Sequence, residues 1–273
     1  MKTATINGIE LAYRDQGVGE AILFIHAFPL HGAMWDGQVA AFSPHHRVIA
    51  PDLRGLGASE AGGGAGSLDQ HADDLAALLD HLAIEHATVA GLSMGGYISL
   101  ALWRRHRQRI AALILADTRA GADSVEGKQG REQNAKLAET QGPGAIADLM
   151  LPKLLSPNAP AALRDQVRAM IESNDRAGIA SALRAMAARP DSTPLLAAID
   201  VPTLVLVGAE DALTPPSEAE AMFNAIPGCR LAEIPGAGHL SNLESPAAFN
   251  AQVLEFLTPR QMFGIGGGGG GKW

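Results

Sequence analysis

Continuous apolar runs alternate along this chain with segments in which apolar residues recur every three or four positions. The continuous runs predict buried strands, and the periodic segments predict amphipathic helices. Buried strands that alternate with helices are typical of a parallel sheet covered on both faces. The pattern therefore predicts an α/β fold with a doubly wound, mostly parallel sheet. The predicted strands are 3–6 and 9–14 (an opening hairpin), 21–27, 47–50, the run from 87 to the turn at Ser93, 111–116, 201–208 and 230–234.

The predicted helices include a long stretch without any convincing strand. Between Arg119 and about Leu196 the chain shows only helical segments, which Gly and Pro residues separate. We therefore predict a core of residues 1–118 and 197–260 and a helical insertion of residues 119–196 that sits on the sheet. Helices are predicted at 126–140, 144–150, 160–173 and 175–188 in the insertion, and at 34–42, 67–82, directly after Ser93, 216–225 and 246–257 in the core.

The last residues, 261–273, form a Gly-rich tail that we predict to be a flexible linker. Its glycines followed by Lys272 imitate a phosphate-binding loop, but Trp273 stands where that motif needs Ser or Thr. The motif also requires a strand before it and a helix after it, and the sequence predicts neither there. We therefore leave the tail out of the functional argument.

Composition and charge exclude several classes of protein. The net charge of −8, with no basic cluster on a plausible helix face, argues against a nucleic-acid partner. No apolar run is long enough for a secretory signal or a membrane span, so we expect a cytoplasmic protein without a membrane partner. The single cysteine, Cys229, excludes an intramolecular disulfide and is expected to be a small buried side chain. No metal-binding pattern occurs, and we expect neither a metal nor another cofactor. The oligomeric state is not predicted.

The first candidate for chemistry is the motif Gly91-Leu92-Ser93-Met94-Gly95, which joins an apolar run to a helical segment. A serine between two such glycines sits on a sharp strand-to-helix turn, where its hydroxyl is exposed at the edge of the sheet. Glycine is needed on either side because a Cβ atom would collide across so tight a bend. The alternative is that Ser93 merely caps the helix that follows.

A serine hydroxyl needs a nearby base to become a nucleophile, and that base is usually a histidine. Reactive groups in a doubly wound sheet gather where the strands end at their carboxyl edge. His239 meets this condition, because it follows the strand at 230–234 in a loop of small residues. Three grounds exclude other histidines. His106 lies too far along a helix, and His45 and His46 lie at the wrong edge of the sheet. We expect the remaining group to face solvent: His71, His81 and His86.

The histidine in turn needs a carboxylate to orient it, and two aspartates follow buried strands between Ser93 and His239. Asp211 leads into a turn with two prolines that would hold its side chain rigidly, and we favour it. Asp117 stays an alternative; it would otherwise cap the segment that begins at Thr118.

In this order, Ser93, Asp211 and His239 resemble the nucleophile, acid and histidine of the α/β-hydrolase superfamily. His26-Ala27-Phe28-Pro29 is similar to the family's H-G-x-P motif, with Ala27 in place of the usual Gly. The stretch Asp52-Leu53-Arg54-Gly55-Leu56-Gly57-Ala58-Ser59 matches the D-x-R-G-x-G-x-S loop, in which we interpret Arg54 and Ser59 as loop-shaping. The insertion falls where the family places a helical cap, after the sixth strand. The resemblance covers nearly all of residues 1–259.

The resemblance implies an activity. The backbone N–H groups of Phe28 and Met94 would form an oxyanion hole, and Ser93 would carry a covalent acyl intermediate. His26 would have a structural role. Within the superfamily the motifs are most similar to those of small carboxylesterases and 3-oxoadipate enol-lactone hydrolases, so we predict hydrolysis of small carboxylic esters or lactones. The alternatives are a cofactor-free perhydrolase or haloperoxidase that uses the same residues, and a non-catalytic binding protein of this fold.

Residues of the insertion are the candidates for substrate contact. Met150, Leu154 and Met186 would line an apolar pocket, to which flexible methionines are well suited. Arg119, just after the sixth strand, would meet a carboxylate of the substrate. The alternative is that the apolar side chains pack the insertion onto the sheet and that Arg119 is a surface hinge residue.

Overall fold

An eight-stranded sheet forms the centre of the computed structural model, which describes residues 1–63 and 66–258. The strands lie in the order β1-β2-β4-β3-β5-β6-β7-β8. The pairs β1–β2 and β2–β4 are antiparallel, and the five other pairs are parallel. The mostly parallel sheet is therefore confirmed. The strands are β1 Lys2–Ile6, β2 Ile9–Gln16, β3 Ala21–Ile25, β4 Arg47–Pro51, β5 Ala87–Leu92, β6 Ile110–Ala116, β7 Thr203–Gly208 and β8 Arg230–Ile234.

Burial explains why some strands are apolar throughout and another alternates between apolar and polar residues. Every residue of β3 and of β7 is buried, because helices cover both faces of the sheet at these central positions. The edge strand β1 alternates instead between exposed and buried residues over most of its length. Asn7 and Gly8, with φ angles of 46° and 79°, form the tight turn of the opening hairpin. The apolar pattern thus distinguished central strands from edge strands.

The helices lie close to their predicted positions. Ser67 accepts a hydrogen bond from the Gln70 N–H and so caps α2, as expected for a helix that starts there. Local details differ: a 3-10 turn, Gly32–Trp35, replaces the start of the predicted helix 34–42, helix α5 runs four residues beyond its predicted end, and a short helix was missed after His239. The helices are α1 Asp36–Phe42, α2 Leu68–His81, α3 Met94–His106, α4 Val125–Gln141, α5 Pro143–Leu154, α6 Ala161–Glu172, α7 Arg176–Ala187, α8 Pro216–Ala225, α9 Ser241–Glu244 and α10 Pro246–Leu257.

Helices α4 to α7 lie between β6 and β7, in the part of the chain that we call the cap segment (residues 119–196). Its two ends are tied together, because the Ser192 N–H donates to the Ala120 carbonyl and Arg189 donates to the Gly121 carbonyl. Helix α7 contacts the core backbone: a Cβ atom on Gly178 would lie 1.7 Å from the Gly55 carbonyl oxygen. The division into a core and a cap stays a prediction, and the Gly-rich tail at 261–273 lies outside the described residues.

Two expectations about single residues were wrong. His71 does not face solvent; it is buried on the core side of α2, and burial lowers the pKa of its imidazole to about 4. Cys229 is half-buried against the core rather than fully buried, and desolvation raises the pKa of its thiol to about 11. Within the described ranges, the structure contains no helix with both the length and the apolar character needed to cross a membrane.

We predict that Gly178→Ala destabilises the protein, because the new methyl group would collide with the Gly55 backbone. Such overpacking costs about 1–3 kcal/mol, which thermal unfolding would record as a lower Tm. The matched control is Gly130→Ala in helix α4, where nothing lies within 4 Å of the added atom. The control should leave Tm unchanged or raise it, since Ala is the better helix former. Equal Tm values for the two variants would contradict the close contact between α7 and Gly55.

Candidate active site

Ser93 lies at the corner between β5 and α3, with φ 56° and ψ −112°. Its side chain makes no capping hydrogen bond to α3, so the helix-cap alternative does not describe it. The two glycines of the motif are required by close approach. A Cβ on Gly91 would lie 2.2 Å from the Gly95 carbonyl oxygen, and a Cβ on Gly95 would lie 2.1 Å from the carbonyl oxygen of Ile25. The corner is therefore pressed against the end of β3.

His239 reaches this corner from the loop between β8 and α9. Its Nε2 atom lies 2.8 Å from Ser93 Oγ, and its Nδ1 atom lies 2.8 Å from Asp211 Oδ2. The imidazole is buried, as is the Asp211 carboxylate. The structure thus brings together the three residues that the sequence placed at three separate strand ends.

Asp211 is held by the turn that follows β7. Its Oδ1 atom accepts hydrogen bonds from the Leu213 N–H at 2.8 Å and from the Thr214 N–H at 3.0 Å. Its Oδ2 atom accepts from the Thr214 hydroxyl at 2.7 Å as well as facing His239. With both oxygens occupied, the carboxylate has one orientation, which fixes the imidazole in turn.

Charges around the imidazole favour its protonated form. Burial by itself lowers the pKa of His239, but the hydrogen bond and charge of Asp211, and the charges of Asp117 and Glu244, raise it above its ordinary value. Burial likewise raises the pKa of Asp211, but the contact with His239 and the hydrogen bonds from Thr214 bring it below the usual range. Asp211 therefore stays ionised at the pH at which His239 gains a proton.

Asp117, the alternative acid, occupies a different position. Its Oδ1 atom accepts from the Gly208 N–H at 2.7 Å, and its Oδ2 atom accepts from the Ser241 hydroxyl. These bonds join the ends of β6 and β7 to the start of α9, so the side chain does not cap the segment after Thr118. Complete burial raises the pKa of Asp117 to about 7. Asp117 acts on His239 through its charge rather than through a hydrogen bond.

His26 shapes the loop that follows β3. Its Nε2 atom accepts from the Leu53 N–H at 3.0 Å, and its Nδ1 atom lies 3.0 Å from the Ala27 carbonyl oxygen. One accepting and one donating nitrogen require a neutral imidazole. Burial lowers the pKa of His26 to about 4, which keeps it neutral. This residue therefore joins the loop after β3 to the loop after β4, as its structural interpretation implied.

Phe28 and Met94 lie on two sides of the Ser93 corner. Phe28 belongs to the loop after β3 and lines the same cavity as Ser93 and His239. Met94 is fully buried at the first position of α3, where the helix presents unpaired N–H groups. Among the described residues, neither backbone amide donates a hydrogen bond to another group. Their role as an oxyanion hole stays a prediction.

A cavity of about 140 Å³ opens in front of the Ser93 hydroxyl. Of the predicted substrate-contact residues, Arg119, Met150 and Met186 line it. Leu154 does not: it is fully buried, and its carbonyl accepts from the Leu240 N–H at 3.1 Å, so it packs the cap segment onto the histidine loop. The cavity is lined by Phe28, Ser93, Tyr97, Arg119, Arg131, Met150, Met186, Leu213, Thr214 and His239.

Four of these lining residues were not predicted from the sequence, although three of them carried a usable signal. Tyr97 follows Ser93 by four positions on α3, so the helical period places it on the same face. Leu213 and Thr214 belong to the same turn as Asp211. Arg131 carried no such signal, because its approach depends on how helix α4 packs in three dimensions.

Three arginines surround a single buried carboxylate beside the cavity. Asp123 accepts from Arg119 at 2.6 Å, from Arg131, and from Arg189 at 2.9 Å. The Arg189 guanidinium also lies 4.1 Å from the centre of the Tyr97 ring. Burial raises the pKa of Asp123, but Arg131 and Arg189 lower it below the ordinary value, so the carboxylate is charged. The Glu218 carboxylate also acts on Arg119 through its charge. Three guanidinium groups against these two carboxylates leave this wall of the cavity cationic.

A metal site does not emerge from the described residues: in 1–63 and 66–258, no three His, Cys, Asp or Glu side chains are arranged to hold an ion. A larger cavity of about 400 Å³ lies at the opposite edge of the sheet, beside Glu20, Arg47 and His86. Ser93, Asp211 and His239 do not line it. The contact between Ser93, His239 and Asp211 thus lies at the carboxyl edge of the sheet, away from this second cavity.

Comparison with known proteins agrees with this fold. The sequence profile of the Alpha/beta hydrolase family matches residues 22–252. The structure of a thermophilic esterase from Thermogutta terrifontis, solved with malate bound, superposes with a TM-score of 0.90 at 43% identity and covers 94% of this chain and 97% of its own. The 3-oxoadipate enol-lactonase 2 of Acinetobacter baylyi is 32% identical over 92% of this chain and 94% of its own length.

A third relative has a different named activity. The non-heme haloperoxidase of Rhodococcus erythropolis is 29% identical over 92% of this chain and 97% of its own length. Proteins named for three activities are thus similar to this chain over 92–94% of its length. The matched profile, the sheet order and these relatives together show that the chain belongs to the alpha/beta hydrolase family.

Proposed function

We propose that this protein is a serine hydrolase that cleaves small carboxylic esters or lactones through an acyl-enzyme intermediate. The observation that carries the proposal is the unbroken chain from Ser93 Oγ through His239 to Asp211, with 2.8 Å at each step, at the wall of a cavity. A nucleophile within hydrogen-bond reach of a base, which a carboxylate orients, is the arrangement that activates a serine. The esterase and enol-lactonase relatives support the same reaction class.

In the first half of the reaction, Ser93 Oγ attacks the carbonyl carbon of the substrate while His239 Nε2 accepts the hydroxyl proton. The negative charge that develops on the carbonyl oxygen is stabilised by the backbone N–H groups of Phe28 and Met94. The tetrahedral intermediate then collapses, and His239 returns the proton to the leaving alcohol oxygen. In a lactone that oxygen stays attached to the acyl group.

In the second half, a water molecule replaces the alcohol. His239 takes a proton from the water, whose oxygen attacks the acyl carbon. The bond from the acyl carbon to Ser93 Oγ then breaks, and His239 gives the proton back to the serine. Asp211 keeps its negative charge throughout and stabilises the imidazolium in each half. The products are a carboxylic acid and the free hydroxyl of Ser93.

The cationic wall supports a narrower substrate class, esters or lactones that carry a second, free carboxylate. Arg119 and Arg131 both line the cavity, while the single carboxylate of Asp123 faces three guanidinium groups. An anionic group of the substrate would offset the remaining charge, and arginine pairs with carboxylates in a favourable planar geometry. Malate, which was bound in the Thermogutta esterase structure, is a dicarboxylate.

A second candidate activity is perhydrolysis, and the similarity to the Rhodococcus haloperoxidase favours it. Hydrogen peroxide would take the place of water and attack the same acyl-enzyme. The acyl group would leave as a peracid, and Ser93 would be regenerated without any change in the roles of His239 or Asp211. The two activities would then differ only in which nucleophile reaches the acyl carbon.

Replacing the nucleophile tests the central assignment. We expect Ser93→Ala to lower kcat/KM for p-nitrophenyl butyrate by at least about a thousandfold, since the acyl-enzyme cannot form. The matched control is Ser99→Ala on the same helix, where the hydroxyl donates to the Gly95 carbonyl; it should stay within about threefold of wild type. Wild-type turnover by Ser93→Ala would refute the mechanism. A wild-type protein without turnover on acetate, butyrate and lactone substrates would favour the non-catalytic binding protein instead.

Replacing each aspartate distinguishes the acid from its alternative. Asp211→Asn should lower kcat by about 10³–10⁴-fold, because the amide no longer stabilises the imidazolium or selects its tautomer. Asp117→Asn should cost less than tenfold, because an amide of the same shape can keep the bonds to Gly208 and Ser241. The reverse order of the two losses would transfer the role of acid to Asp117.

The pH profile of kcat/KM provides an independent measure of the same charges. His239 must be neutral to accept a proton, and its pKa lies above the ordinary 6.5. Activity should therefore fall as the pH decreases through a midpoint above 6.5. Asp117→Asn removes a negative charge that favours the imidazolium, so this midpoint should move to lower pH. An unchanged midpoint in the variant would show that Asp117 does not act on His239.

Substrate charge tests the cationic wall. We expect Arg131→Gln to lower kcat/KM for monoethyl succinate by about 10–100-fold, the value of one charge-assisted hydrogen bond. Turnover of ethyl butyrate, a neutral ester of similar length, should change by less than about threefold. The control is Arg168→Gln, an arginine of helix α6 that pairs with Asp148 and Glu172 outside the cavity. Equal losses on both esters would argue against a carboxylate subsite and leave the ester hydrolase assignment intact.

A further inference from the structure

Asn174 lies between α6 and α7 and is almost completely buried, with 3% of its surface exposed. Its Oδ1 atom accepts a hydrogen bond from the Gly57 N–H at 2.7 Å. Its Nδ2 atom donates to the carbonyl oxygens of Pro29 and Met170, each at 2.9 Å. Met170 belongs to the cap segment, whereas Pro29 and Gly57 belong to the core. One amide group therefore joins the cap segment to two separate core loops.

The loop after β3 borders the Ser93 corner, and the loop after β4 is joined to it by hydrogen bonds. Pro29 directly follows Phe28, whose N–H group is one of the two proposed oxyanion donors. Gly57 belongs to the loop after β4, in which the Asp52 carboxylate accepts from the Gly32 and Ala58 N–H groups, each at 2.8 Å. Asp52 thereby ties the loop after β4 back to the loop after β3. Asn174 contacts both of these loops, at Pro29 in the loop after β3 and at Gly57 in the loop after β4.

The chemistry of the contact requires an amide. Two carbonyl oxygens and one N–H group face the side chain, so it must donate twice and accept once, which Asn does with its Nδ2 and Oδ1 atoms. An Asp of the same size would keep the bond to Gly57 but present an acceptor to the Pro29 and Met170 carbonyls. Buried carbonyl groups without a donor are unfavourable.

We propose that Asn174 is a positioning residue, which from the cap segment holds the Phe28–Pro29 backbone where the Phe28 N–H can donate to the reacting carbonyl oxygen. This inference rests on the proposed ester hydrolysis and adds a dependence of the reaction rate on the docking of the cap segment. Asn174 touches neither the nucleophile nor the substrate cavity; it acts through Pro29.

The expected defect is specific to the chemical step. An oxyanion donor binds the transition state better than the ground state, so its displacement lowers kcat more than it raises KM. A shift of about 1 Å in a group that positions the reaction can reduce the rate by about a hundredfold. A residue that merely stabilises the cap segment would instead change Tm or KM.

The first experiment measures kcat and KM with p-nitrophenyl butyrate for Asn174→Ala, Asn174→Asp and a control, Ser181→Ala. Ser181 on α7 accepts from the Gly66 N–H at 3.2 Å. It therefore also joins the cap segment to the core, but before α2 rather than at the loop after β3. We expect both Asn174 variants to lose about 10–100-fold in kcat with KM within about threefold, and the control to stay close to wild type.

A transition-state analogue gives a second test of the same position. Butylboronic acid forms a tetrahedral adduct with an active serine, and one adduct oxygen occupies the place of the oxyanion. Its affinity should fall in the Asn174 variants by about the same factor as kcat, while Ser181→Ala should keep wild-type affinity. Losses confined to KM, or equal losses in the control, would overturn the proposal. So would the failure of both Asn174 variants to fold, since that would make Asn174 a residue of general stability.

Hydrogen–deuterium exchange separates this inference from the activity on which it rests. Deuterium uptake in the peptide 26–35 is measured for Asn174→Ala and Ser181→Ala, each combined with Ser93→Ala, so that no turnover is needed. We expect faster uptake with Asn174→Ala and wild-type uptake with Ser181→Ala. Equal uptake would refute the link to the Phe28 loop. If Ser93→Ala alone kept its activity, the proposed function would fail, while the uptake would still report whether Asn174 holds this loop.

Discussion

The close approach of helix α3 to the end of strand β3 is the constraint on which the site depends. No side chain fits at Gly95, because the carbonyl oxygen of Ile25 lies where its Cβ would be. This contact presses the start of α3 against the loop that carries Phe28. Ser93 is left at a positive φ, which costs about 1–3 kcal/mol at a non-glycine residue. The surrounding sheet maintains that strain, and the hydroxyl points at His239 rather than at the helix.

The parallel sheet determines where the other site residues lie, because it brings the carboxyl ends of its strands to one edge. β5, β6, β7 and β8 end respectively at Ser93, Asp117, Asp211 and the loop of His239, so three ionisable groups meet in a buried space. Their environments differ in one respect. Asp211 receives several hydrogen-bond donors and stays ionised, whereas burial dominates at Asp117 and raises its pKa to about 7. Two aspartates that both follow buried strands thus differ in how readily they ionise.

The parts of this arrangement that local pattern controls could be predicted from the sequence. Apolar runs located the strands, and the glycine spacing around Ser93 located the corner. His71 was misplaced although its spacing from Leu75 puts it on the apolar face of α2. Arg131, Arg189 and Asn174 were missed for another reason: they lie on polar stretches of the cap segment that look like solvent-exposed surface. Their partners are distant in sequence, so only the packing of the cap segment onto the core makes them meet.

The tied ends of the cap segment have an evolutionary consequence. β6 pairs directly with β7, and the chain leaves and rejoins the sheet at neighbouring points, where residues 120 and 192 are hydrogen-bonded. An insertion closed at its base in this way can be lengthened, shortened or exchanged without interrupting the sheet. Under the proposed function, substrate range would then diversify in the cap segment, while Ser93 and His239 stay unchanged. If Asn174 positions the Phe28 loop as proposed, each exchanged cap segment also has to supply a donor to the Pro29 carbonyl, which links the freedom to vary to the rate of the reaction.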